Sequence, residues 1–199
     1  MGHCAAPENA MPKPTTVAAL TELGRVRLSN SFFMRDMLHS EIAQVHCLVN
    51  APDDADLAIE VGTRLATDLL EPLQARWGPV RIRSAYRSSE VNALGHERRL
   101  AGHADYACAS NAYNAARHIW DRLDADGCKG AVATVVVPAF HDAHPEPGGW
   151  QVLARWIDDH LPYSTVDVFE WMWAFNFGWH ERPQRRIESA AEPKGVWVK

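Results

Sequence analysis

The chain predicts an α+β fold, a small sheet with helices packed on one of its faces. Three stretches carry that expectation. Residues 131–137, AVATVVV, form an uninterrupted apolar run whose length and β-branched content read as a buried strand, stopped by Pro138. Leu57, Val61, Leu65, Leu69 and Leu73 recur at a helical spacing and lay one apolar stripe along the chain. Val152, Leu153, Trp156, Ile157 and Leu161 do the same over 150–161. Strand-like and helix-like segments are interspersed in 199 residues of 47% hydrophobic content, which suits one domain around one core.

Taken in order, residues 1–16 carry Pro7, Pro12 and Pro14 and few large apolar groups, so a mobile leader is expected ahead of a single domain over 17–199. Pro52-Asp53-Asp54 supplies helix-start chemistry for the first stripe. Trp77-Gly78-Pro79-Val80 closes that helix and opens a short β-like run. Residues 93–127 interrupt the pattern: a polar loop rich in Ala, Arg and His, then a helical pattern over 112–123 with Ala116, Ile119, Trp120 and Leu123 on one side. The strands at 80–87 and 131–137 flank this interruption and are expected to be neighbours in one sheet. A Pro- and Gly-rich loop over 141–149 precedes the second amphipathic helix, and 166–179 is strand-like at both ends.

The formal net charge is −5 with ten histidines uncounted, and short basic clusters such as Arg98-Arg99 have acidic neighbours. No basic stripe of the kind a phosphate backbone demands is present, so nucleic acid is not an expected partner. Cys4, Cys47, Cys108 and Cys128 are scattered without a C-x-x-C pair, which argues against a zinc ribbon and a disulfide scaffold and for reduced thiols. No apolar run reaches the roughly 18 residues of a transmembrane segment, and the first residues lack the basic and apolar regions of a signal peptide. The chain is therefore expected to be cytoplasmic as synthesised, with any passage to a cell wall by a phage-type release. The oligomeric state is not legible.

Residues 81–92, RIRSAYRSSEVN, resemble the S-x-Y-R-S-x-x-x-N segment of the zinc D-alanyl-D-alanine carboxypeptidases and related murein endopeptidases, which share the hedgehog/DD-peptidase fold. The resemblance runs in order from residue 28 to residue 181, with 93–127 as a long insertion. Residues 28–40 are similar to the family's first conserved segment, 161–170 (LPYSTVDVFE) to its F-D…E segment, and Trp179-His180 to its terminal W-x-H or W-H. What the resemblance implies is an antiparallel-rich sheet and a zinc-dependent peptidase, carboxypeptidase or endopeptidase, acting on D-amino-acid-containing stem peptides of peptidoglycan in the manner of a phage lysin.

The same resemblance assigns roles to residues. Arg87 is the expected substrate clamp, with Ser84 beside it, because a guanidinium fork gives a peptide carboxylate two parallel charge-assisted hydrogen bonds. A zinc peptidase needs three protein ligands, an open position for water and a carboxylate to take the water's proton. His180 matches the late ligand. For the first pair, His118 and Asp121 are three residues apart and would share a helix face; His103 and Asp105 are the rival placement, since His103 falls eleven residues after Asn92. The 131–137 strand, which carries an aspartate in the family, has no carboxylate. Glu170, three residues after Asp167, is the expected general base, with Glu181 in reserve. The alternative is a catalytically inactive binding or structural module on the same fold, with the aromatic-rich segment 171–179 as its working surface.

Overall fold

The computed structural model describes residues 13–197; the greater part of the expected leader, residues 1–12, lies outside the described residues. Thr16, within the span expected to be leader, instead caps the first helix, α1 (Val17–Arg25), by accepting from the Ala19 N–H. Two short helices follow, α2 (Met34–Met37) and α3 (Glu41–Val45).

The first apolar stripe forms one rod: α4 (Ala55–Leu65), a π turn over Ala66–Leu70, and α5 (Glu71–Trp77). Asp54 caps its start through the Leu57 N–H. Two causes account for the π turn. Pro72 brings no N–H, and its ring conflicts with the carbonyl four residues back. A stripe spaced at four residues also drifts by about 40° per turn around an ideal helix of 3.6, so a locally wider turn keeps it facing inward. Val61, Leu65, Leu69 and Leu73 are all fully buried. Gly78, at φ 94°, ends the rod in a conformation that favours glycine and turns the chain toward the sheet.

The sheet has six strands in the order β1-β2-β4-β3-β5-β6, with β1 Arg81–Ser84, β2 Gly130–Val136, β3 Thr165–Val168, β4 Phe175–His180, β5 Arg186–Ser189 and β6 Gly195–Val196. Every neighbouring pair is antiparallel except β3 with β5. The expected pairing across the interruption is present: Arg81 lies opposite Val136 and Ile82 opposite Val135. β1 is shorter than the 80–87 read from the sequence, because Tyr86 and Arg87 leave the ladder. Their N–H groups go to the Met37 and His118 carbonyls instead.

Alternation along the strands then assigns two faces. Ala131, Ala133 and Val135 of β2, Phe175 and Phe177 of β4, Val166 and Val168 of β3 and Ile187 of β5 join the helical rod in one hydrophobic core. α9 (Trp150–His160) adds Trp150, Leu153, Ala154 and Ile157 to that core, in line with its sequence periodicity. The intervening residues give the other face a polar row, with Thr134 opposite Asn176, Asn176 opposite Asp167 and Thr165 opposite Arg186.

Two expectations for the interruption are corrected. Residues 93–100 are helical rather than a loop, as part of α6 (Ser89–Leu100), which Ser88 starts by accepting from the Val91 N–H. Of 112–123 only α7 (Asn111–Asn114) is helical. The chain then folds into a tight turn, for reasons that belong to the site. α8 (Pro138–Ala143) follows β2 directly, its proline at a position where no N–H is needed.

Candidate functional site

Three asparagines tie the interruption down. The Asn114 amide donates to Asn92 Oδ1 (2.8 Å), and the Asn92 amide donates to Asn111 Oδ1 (2.8 Å) and the Ala109 carbonyl (3.0 Å). With Asn114 fixed, the chain reverses: the Ala116 N–H reaches the carbonyls of both Arg122 (2.8 Å) and Ile119 (3.2 Å). Ala116 takes φ +54°, a left-handed conformation uncommon for a residue with a Cβ. The Arg117 carbonyl then accepts from the Val132 N–H at 2.8 Å, so this segment lies against β2 where β1 has ended. The consequence is a sorting of side chains. Ile119 and Trp120 enter the interior, and Trp120 Nε1 donates to the Val132 carbonyl at 3.1 Å. Arg117 goes to the polar face of the sheet, where it meets Asp167.

Between this turn and the polar face runs a groove of about 420 Å³, bounded by Tyr113 and Arg117 on one side, Thr165, Asp167 and Arg186 on the other, and Asp124 and His180 at one end. Tyr113, Asp167 and Arg186 also border a second hollow of about 410 Å³, so the groove continues along β3 and β5 past Phe169 and Glu188.

Arg117 lies over the Tyr113 ring, 4.9 Å from its centroid. Among the described residues its ion-pair contact is a long one, Nη2 to Asp167 Oδ2 at 3.4 Å, and its Nε is buried without a hydrogen-bond partner. The same Asp167 Oδ2 accepts from the Asn176 amide at 3.3 Å, while Thr134 Oγ1 donates to Asn176 Oδ1 at 2.7 Å. Arg186 pairs with Glu188 at 2.6 Å.

At the end of the groove His180 Nε2 is 3.0 Å from Asp124 Oδ2. His180 Nδ1 lies 3.0 Å from the Arg182 N and 3.1 Å from the Arg182 carbonyl, while Nε2 faces Asp124. The Cys128 N–H on its other oxygen, more than His180 itself, holds Asp124 below the usual carboxylate range. Both His180 nitrogens are therefore engaged.

The expected metal ligands are not brought into one group. His118 is buried; its Nδ1 is 2.8 Å from the Ala85 carbonyl, and burial, then the Arg87 guanidinium, holds the imidazole down at about 3. Asp121 accepts from the Tyr86 hydroxyl (3.1 Å) and the Asp53 N–H (2.7 Å), joining the strand end to the start of the helical rod. Neither borders the groove that His180 borders. The helix expected to hold His118 and Asp121 on one face is absent, because the Ala116 reversal replaces it. His103 and Asp105 are exposed on the loop after α6. Among the described residues no set of three His, Cys, Asp or Glu side chains is arranged to hold a metal ion, and the donors present do not fit a zinc centre.

The other expected roles distribute as follows. Arg87 is buried; its Nη1 lies 2.6 Å from Cys108 Sγ and its Nε has no partner among the described residues. Burial draws its pKa down, and the Cys108 sulfur opposes that shift. Ser84 is half-buried at the end of β1, and Glu170 is exposed before a 3-10 turn at Trp171–Trp173. Glu181 accepts the Lys129 N–H at 2.7 Å. Arg117, Tyr113, Asp124 and Asn176 were not singled out from the sequence. A non-helical Ala116 is the feature that gathers them, and nothing in its residue type announces it.

No protein-family model, no curated protein and no solved structure matches the chain.

Proposed function

We propose that the protein is a ligand-binding module whose sequence resembles the zinc D-alanyl-D-alanine peptidases of the hedgehog/DD-peptidase fold, and whose groove holds a short peptide of the peptidoglycan stem type without metal chemistry. One observation carries this reading. The side chains that the resemblance assigns to zinc are each engaged in separate hydrogen bonds: His118 with Ala85, Asp121 with Tyr86 and Asp53, His180 with Asp124 and Arg182. A polar groove of about 420 Å³ remains, within the size range of small-molecule sites.

The peptidase reading keeps one specific observation of its own: His180 and Asp124 stand together at the groove's end, where two ligands of a hydrolytic centre would stand. The two readings part on one experiment. Protein equilibrated with zinc and then desalted is assayed for bound metal, and for release of D-alanine from a peptide ending in D-alanyl-D-alanine. The binding reading expects less than a tenth of an equivalent of zinc and an intact peptide that still binds. About one equivalent of zinc with D-alanine release establishes the peptidase instead.

A further inference from the structure

The groove holds ionised groups of both signs, and their arrangement selects a ligand. Arg117 and Arg186 lie near its middle, where the two hollows join; Asp124 and Asp126 lie toward the His180 end. Arg117 is the group with unused capacity. A guanidinium paired in full makes two parallel bonds of about 2.7–2.9 Å to a carboxylate. Among the described residues it has a single 3.4 Å contact, to Asp167, and 21% of its side chain stays exposed. Its position is nonetheless fixed, by the Tyr113 ring against it and by the Ala116 reversal behind it. A cation held in place with donors to spare is suited to receive an anion at little further entropic cost. Asp167 does not satisfy it, because the one oxygen that Arg117 meets is shared with the Asn176 amide and stays 3.4 Å away.

The acids narrow the anion. Asp124, Asp126 and Asp167 all border the same groove, and they disfavour a doubly charged phosphate while favouring a ligand that carries one negative and one positive end. We propose that the groove takes zwitterionic short peptides, with the free C-terminal carboxylate on Arg117 and the amino end toward Asp124 and Asp126. This rests on the binding reading above but does not depend on the handedness of the residues. Arg117, which touches the ligand, takes the role that the sequence resemblance gives to Arg87.

The test is a calorimetric titration with four probes: D-alanyl-D-alanine, L-alanyl-L-alanine, D-alanyl-D-alaninamide and N-acetyl-D-alanyl-D-alanine. The wild-type protein should bind the free dipeptide, and both capped forms should bind about tenfold or more weakly, the scale of one charge-assisted contact. Arg117→Gln should weaken the free acid to the level of the amide and leave the amide unchanged. Arg117→Lys should fall between, since it keeps charge and loses the fork. Thermal unfolding of each variant separates loss of binding from loss of fold, and a folded Arg117→Gln that binds the acid normally overturns the proposal. So does equal binding of acid and amide, or no binding of any dipeptide. Equal binding of the L and D forms, with Arg117 still required, supports the carboxylate site and overturns the assignment to D-amino-acid peptides.

Discussion

At the residue scale, two histidines that look alike in the sequence do different work. His180 borders the groove with Nε2 against Asp124, whereas His118 is buried beside Arg87 and kept neutral. His118 makes stability depend on pH with a definite sign. Its folded pKa, about 3, lies below the 6.5 of an unperturbed histidine. The unfolded chain therefore takes up the extra proton first, and the contribution is full above 6.5 and falls as pH drops toward 3. Urea unfolding at pH 7.5 and pH 5.5 should show wild type losing about 1 kcal/mol more than His118→Gln over that interval. Equal losses would show that His118 is not buried neutral.

A second residue-scale prediction concerns the interior around Arg87. A Cβ at Gly95 would come within 2.6 Å of Cys108 Sγ and 2.9 Å of Ile42 Cδ1. Gly95→Ala should therefore destabilise the protein by about 1–3 kcal/mol despite the better helix propensity of alanine, as read by thermal or urea denaturation.

At the element scale, the account rests on the turn after α7. Ala116 holds φ +54°, where glycine has no Cβ penalty. Ala116→Gly should raise stability by up to about 1 kcal/mol and leave dipeptide affinity within about twofold, whereas Ala116→Val should lower both. Gly130 reports on the same turn from the sheet side. A Cβ there would collide with the Ala116 carbonyl oxygen and approach His180 Cδ2 at 2.7 Å. Gly130→Ala should shift the NMR amide signals of both the turn and β4, and weaken dipeptide binding.

These elements also mark how far the sequence was readable. The 57–73 stripe, the valine run and the 150–161 helix follow from periodicity alone, because burial of one face fixes each of them. The pairing of β1 with β2 was legible from the order of the segments together with the strand pairing that the resemblance implies. The π turn leaves no mark in the periodicity, although Pro72 stands just before the last leucine of the stripe. The 112–123 segment misled for a specific reason. Ile119 and Trp120 are buried as a helical stripe would require, yet they reach the interior from a turn held by Asn92 and Asn114. Long-range side-chain amide bonds leave no trace in local periodicity, and every groove residue that this turn positions was hidden for that reason.

At the scale of the whole molecule, one core joins the helical rod, α9 and the apolar face of the sheet, and among the described residues no helix is long and apolar enough to cross a membrane. Trp120 and Trp150 are both buried in that core from widely separated parts of the chain. Denaturation followed by tryptophan fluorescence and by far-UV circular dichroism should therefore give coincident transitions. Separate midpoints would show that the 93–127 segment or the C-terminal strands unfold on their own.

One face of the sheet is packed against helices, and the other is left polar under the 114–122 turn, where the proposed ligand would lie. The most direct test is an amide chemical-shift titration of the isotope-labelled protein with D-alanyl-D-alanine, with the dipeptide itself monitored in the same tube. The account predicts saturable shifts concentrated at Tyr113, Arg117, Asp167, Asn176 and Arg186, little change at Arg87, Cys108 and His118, and an intact dipeptide throughout. Shifts centred on Arg87 and His118, or release of free D-alanine, would contradict it.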